Sequence, residues 1–388
     1  MNPAMLRKAS FAVVATLTLG ILAGCANKVE PRYTPKELQR FEASAELNTD
    51  WRQRVGQGLG RAQYPISPYL DSGVLYAADE RGRVMAIDAD SGNRLWQKDL
   101  EVGVSSGLTA VAGQIYLGTR NGDVLALSQD DGDVLWSSRV SSEVLAAPQP
   151  NRELLVVQSV DGVITALDRR TGQERWAHAA TEPALTLRGT GTPSVIDPVT
   201  FAGFANGRLV TLDNRSGQPL WERRIAVPQG RSEIDRLVDL SGQPVLTPDG
   251  RLFVTSYNGR LVSLDATSGN TLWERDLSSH QTPVLVGDLL FVVTEASHVM
   301  ALNARSGEEV WRNRDLEGRW LTAPAFADGN LVVGDFEGYL HLIDTRQGNF
   351  VARTRIDSSG ISVRPITDYR RIYVLPNNGR LEALEIRR

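Results

Sequence analysis

Cysteine is almost absent from this 388-residue chain: Cys25 stands alone, so no disulfide can close within it. Histidine is scarce too. His178, His280, His298 and His341 lie far apart, in no spacing that would hold a metal. Neither a G-x-S-x-G nor a phosphate-loop signature occurs; "GTGTP" at 189–193 lacks the Lys-Ser/Thr that would complete one. Positive charge is not in excess. With 42 Lys+Arg against 46 Asp+Glu, the formal net charge of -4 argues against a nucleic-acid partner held by phosphate neutralisation. Beyond the N-terminus no apolar run is long enough to cross a bilayer. These gaps leave no catalytic constellation, no metal and no cofactor to expect.

What is present begins with a targeting segment. Arg7 and Lys8 precede the apolar or small run "ASFAVVATLTLGILAG", which ends at Cys25. The run is short for a membrane span, which needs about 20 residues. "LAGC" at 22–25 resembles the bacterial lipoprotein signal. That resemblance implies removal of residues 1–24 and acylation of Cys25, with several acyl chains giving a stable membrane anchor. Ala26, rather than aspartate, follows the cysteine and favours the outer membrane, with the protein facing the periplasm. Residues 25–45 then read as a lipidated N-terminus and tether, with one helical turn starting near Pro35.

From residue 46 to 388 the chain repeats. "GRVMAIDADSGNRLW" at 82–96 returns as "GDVLALSQDDGDVLW" at 122–136 and "GVITALDRRTGQERW" at 162–176, then five more times. Each unit has an apolar strand, a turn glycine and a second strand carrying an aromatic residue. Asp88, Asp168, Asp213 and Asp265 recur at equivalent turns and read as turn caps. A further strand precedes each unit, and four short antiparallel strands per repeat make a propeller blade. The fold class is therefore all-β, an eight-bladed β-propeller. The aromatic positions are assigned to Trp96, Trp136, Trp176, Trp221, Trp273, Trp311 and Phe350, as structural residues between blades. The eighth unit stops before its aromatic residue, and Trp51 stands unpartnered at the other end. Ring closure follows: a strand near 46–55 joins the last blade, whose other strands come from about 363–386.

Function is sought where the repeat breaks, because equal units cannot all be a specific site. Two adjacent connections between blades are long, Trp176 to Pro193 and Trp221 to Pro244, against Trp136 to Pro148 elsewhere. The first holds Leu185, Leu187 and Arg188. The second is crowded with charge, including Asp235, Arg236 and Asp239. Apolar anchors beside charged groups fit a protein-binding patch. Trp320, outside the rhythm, is a further aromatic candidate for a functional loop.

The repeat resembles that of the pyrroloquinoline-quinone dehydrogenases, but the adjacent-cysteine pair often found there is missing. "LTLRG" at 185–189, "EIDRLVDL" at 233–240, "NLVVGDFEGYLHLID" at 330–344 and "DSSG" at 357–360 carry a closer resemblance. Together with the lipoprotein signal, they are similar to the BamB family, the lipoproteins of the outer-membrane β-barrel assembly machinery. The resemblance implies a non-catalytic scaffold without cofactor that binds the POTRA domains of the barrel component, BamA. The implied contacts fall on Leu185, Leu187, Arg188 and Asp239, with Ser241 where the family has a second acidic residue. Three alternatives stay open: nascent outer-membrane proteins bound at exposed strand edges, a scaffold for another envelope complex, and a quinone-dependent dehydrogenase.

Overall fold

Alternating apolar residues between glycine turns dictate short antiparallel strands, and the computed structural model is built of them. It describes residues 33–183, 185–187, 190–368 and 371–388, so the signal segment, Cys25 and Arg188 lie outside the described residues. The strands form eight antiparallel sheets of four, seven of them in chain order. We letter the strands A to D. In the first blade these are Tyr69–Asp71, Val74–Ala78, Arg83–Asp88 and Arg94–Asp99. Strands B and C are buried almost throughout, whereas strand D is largely exposed. The core is therefore made by B and C strands of successive blades packing face to face.

The eighth blade joins the two ends of the chain. Its strands A to C are Ile366–Asp368, Arg371–Val374 and Arg380–Arg387, and its strand D is Glu46–Arg54. The expected closure is present, with Trp51 opposite Ala383 and Glu46 opposite Arg387.

The C–D turns show why aspartate and glycine recur. Asp88 Oδ1 accepts hydrogen bonds from Ser91 N (2.7 Å) and Ser91 Oγ (2.6 Å), and these hold its pKa below the usual range. Gly92 closes the turn with φ of +71°, a conformation that costs glycine nothing. The glycine has a second use. A Cβ on it would lie 2.5 Å from the ring of Trp51, which comes from the preceding blade. The same contact joins Trp96 to Gly132, Trp176 to Gly217 and Trp311 to Gly348. Each indole N–H also donates to a carbonyl of that next turn, from Trp51 to Ala89 O (3.0 Å) through Trp311 to Thr345 O (2.9 Å). The tryptophans are interblade locks, as expected.

Phe350 is not one of them. Strand register places Ala352 opposite Leu342, as Trp96 lies opposite Ala86, so Ala352 holds the tryptophan position in the seventh blade. The physical reason lies in the next blade. Its strand D is supplied by Glu46–Arg54, so no C–D turn joins it to strand C for a tryptophan to cover. Residues 36–45 come in instead. Ser44 N (3.0 Å) and Ala45 N (3.3 Å) donate to Val351 O, and Phe41 packs on Phe350 at 5.3 Å between centroids. This stretch is extended chain without the helical turn expected near Pro35, and it packs because Leu38, Phe41 and Ala45 reach apolar neighbours.

The seventh blade also holds a buried charged chain. Arg319 Nε donates to Asp335 Oδ2 (2.8 Å), which also accepts from His341 Nε2 (3.0 Å); Arg353 Nε donates to His341 Nδ1 (3.0 Å). That last bond leaves Nε2 as the protonated nitrogen of His341. Both arginines then grip the N-terminal segment, Arg319 at Lys36 O (3.0 Å) and Arg353 at Gln39 O (2.9 Å). Burial lowers the His341 pKa. Burial opposes the Asp335 charge, but His341, the Tyr339 N–H and Arg319 outweigh it and hold that carboxyl below its ordinary value.

Candidate partner-binding surface

Antiparallel pairing puts the B–C turns and the D-to-A connections on one face of the ring, and both long connections emerge there. They are built differently. The first, after strand Glu174–Ala179, runs over the neighbouring B–C turn: Asn206 Nδ2 donates to Thr181 O (2.9 Å) and Ala205 N to Glu182 Oε1 (3.4 Å). The second is anchored at both ends. Ile225 and Ala226 donate to Gly207 O and are buried; Val238 and Leu240 are buried in the same cluster. Between these anchors a turn at 232–236 stands out from the ring. Asp235 N donates to Ser232 Oγ (3.1 Å) and Ser232 N to Asp235 Oδ2 (3.2 Å), reciprocal bonds that satisfy the turn.

The two connections meet in one cleft of about 630 Å³, lined by Leu185 from the first and by Glu233, Arg236 and Leu237 from the second. Leu185 is 47% exposed, Val227 49% and Ile234 69%. In the cleft Leu185 and Leu237 stand with a surface pair, Arg236–Glu233 at 2.7 Å, and Val227 and Ile234 are exposed elsewhere on the second connection, so apolar and charged groups share this face. The ion pair itself is solvated and adds little stability. Its use is to present one charge of each sign at the edge.

The expected site residues separate. Leu185, Asp235 and Arg236 are exposed and Leu187 is partly buried, all on the two connections; Arg188 lies outside the described residues. Asp239 is different: at 2% exposure it is not a surface contact. Its backbone bridges Tyr257, with Tyr257 N donating to Asp239 O (2.8 Å), and this turns the side chain inward. Burial first, then the charge of Glu182, pushes the Asp239 carboxyl up to about 7. Charge crowding in the sequence gave no sign of that burial. Val227 and Ile234 were missed because single apolar residues in a charged stretch carry no period. Trp320 is exposed, at 67%, and rests on Phe336 at 5.5 Å between centroids, on the D-to-A connection before the seventh blade.

Fold and surface define a class: an eight-bladed propeller of four-stranded blades, closed by pairing of an N-terminal strand with the last blade, with a cleft between two long connections on one face. The family described as "Outer membrane protein assembly factor BamB" matches residues 80–313 and 295–388. Among relatives, the outer membrane protein assembly factor BamB of Pseudomonas aeruginosa is 41% identical over 376 residues, covering 97% of this chain and 98% of its own length. That of Escherichia coli is 33% identical over 380 residues, covering 95% of this chain and 97% of its own. The crystal structure of BamB from Moraxella catarrhalis superposes with a TM-score of 0.80 at 27% identity, covering 87% of this chain and 99% of that one. The chain belongs to the BamB family. The quinohemoprotein alcohol dehydrogenase of Comamonas testosteroni has a TM-score of 0.69 at 13% identity, covering 87% of this chain and 76% of that one, a likeness of fold alone.

Proposed function

We propose that this protein is a non-catalytic scaffold for outer-membrane β-barrel assembly. Cys25, acylated, holds it to the periplasmic side of the outer membrane. The cleft between the two long connections binds the POTRA domains of the barrel component, BamA. Relatives across nearly the whole length are named assembly factors, which supports the role. The observation that carries the surface is the cleft itself, where Leu185 of the first connection meets Leu237, Glu233 and Arg236 of the second, with Val227 and Ile234 exposed on that same connection. An interface of this kind draws its affinity from a few desolvated apolar anchors, with the rim charges setting orientation. Leu187 is a further contact on the first connection, the family resemblance adds Arg188, and Asp235 shapes the second connection.

Capture of the POTRA domains from native membranes tests the reading. Leu185→Asp with Ile234→Asp should abolish capture while leaving the melting curve unchanged. Capture equal to that of the wild type would sink the proposal. For the anchor, Cys25→Ser should release the protein from the membrane fraction.

A further inference from the structure

Beside the cleft, three buried oxygens have no hydrogen-bond partner among the described residues: Gln158 Oε1, Glu182 Oε2 and Asp239 Oδ2. They come from distant parts of the chain. Gln158 ends strand B of the third blade, Glu182 opens the first long connection, and Asp239 lies near the end of the second. All three residues line one cavity of about 10 Å³, room for a single water or metal ion. Gln158 and Asp239 are each 2% exposed. The Gln158 amide is oriented by its own bond, Nε2 donating to Gly203 O at 2.9 Å, and this leaves Oε1 as the free end.

An unpaired buried acceptor is costly, and buried carboxylates are normally paired with a cation or coordinate a metal. Among the described residues no lysine or arginine lines the cavity. Two carboxylates and an amide carbonyl form a hard, all-oxygen donor set with the charge to balance a divalent ion. The hydroxyls of Thr186 and Thr190 lie on the same walls. Magnesium demands near-octahedral geometry at short distances and gives up its waters reluctantly. Calcium accepts irregular oxygen sets drawn from loops.

We propose that Gln158, Glu182 and Asp239 form a calcium site that ties the first long connection to the second. Glu182 and Ala205 line both the cavity and the neighbouring cleft, so the ion would stiffen one wall of the binding surface. The site stands whatever occupies that cleft.

The intact protein, stripped with a chelator, is titrated with calcium chloride in a calorimeter and melted with and without the ion. The expected result is one ion per chain, with a dissociation constant of about 10⁻⁴–10⁻³ M, as in extracellular calcium modules. The melting midpoint should rise by roughly 3–5 °C at saturating calcium. Asp239→Asn and Glu182→Gln should each lose the heat and the shift while keeping the circular dichroism spectrum; if one fails to fold, the other decides. No heat and no shift in the wild type would overturn the site, as would binding unchanged in both variants. Calcium binding that emerges only in Arg188→Gln would mean that the chain's own guanidinium fills the cavity, and would overturn it equally.

Discussion

Between the third and fourth blades, Trp176 lies on Gly217 and donates to Asn214 O at 2.7 Å. Between the seventh and eighth, Ala352 stands where a tryptophan would be, and residues 36–45 are held by Arg319 and Arg353. Both junctions close the same kind of gap. The first does so with one large apolar side chain and one satisfied N–H, independent of anything distant. The second recruits a segment from the opposite end of the chain and fastens it with buried charge. The difference traces to a missing turn: where strand D comes from a distant segment there is no turn glycine to cover, and a tryptophan would have nothing to rest on. An apolar lock is insensitive to pH and salt. A charged one holds only while its members keep their protonation states.

Four measurements bear on that contrast. The largest effects belong to the locks themselves. Trp176→Ala should cost about 3–5 kcal/mol in denaturant unfolding, with no faster cutting of the N-terminal segment. Arg319→Met strands the Asp335 carboxylate and should cost a similar 3–5 kcal/mol. Here trypsin should also cleave sooner at Lys36 and Arg40, because Lys36 O loses its donor. Equal protection of that segment in the two variants would erase the distinction.

A smaller effect concerns acid. Burial keeps His341 neutral in the fold, among Asp335, Arg319, Arg353 and Tyr339, whereas the unfolded chain takes up the proton at about 6.5. Its contribution is complete above that pH and is lost as pH falls toward the lowered native value, by at most about 1.4 kcal/mol per unit. Asp335, also lowered, acts in the same direction only below about 3.8. His178 and His280 are lowered by burial as well, so the reading is the difference between wild type and His341→Gln. The melting point of the variant should fall less between about pH 7 and 5.5. Parallel curves would remove His341 from the account. Smallest is Leu185→Asp, which should move stability by no more than about 0.5 kcal/mol, since the residue touches water rather than core.

Much of this was legible in the sequence because the blade is a local object. Alternation, the turn aspartates and the turn glycines lie within fifteen residues of one another, and Trp51 announces closure by having no unit of its own. What was lost is non-local or miscounted. Four residues separate Gly92 from Trp96 but two separate Gly348 from Phe350, so counting from the turn glycine identifies Ala352. The charged chain had one trace: at the position held by Met85 or Leu125 in other blades, the seventh has His341 and the eighth Glu382. Both are buried, and both belong to the blades flanking the odd junction. In the cleft, the sequence marked both connections, but it could not tell the exposed Asp235 from the buried Asp239, because burial there depends on the Tyr257 bridge.

Strand Glu46–Arg54 is among the first parts of the propeller to be synthesised, and its partner Arg380–Arg387 ends one residue before the last. The eighth blade cannot form until strand Arg380–Arg387, made after every other blade, is available to pair. A product cut short before Arg380 would carry an unpaired strand as a free edge, open to wrong pairing and to proteases. Pairing the earliest strand of the propeller with a late one thereby makes the closed ring a check that every blade between them has been made.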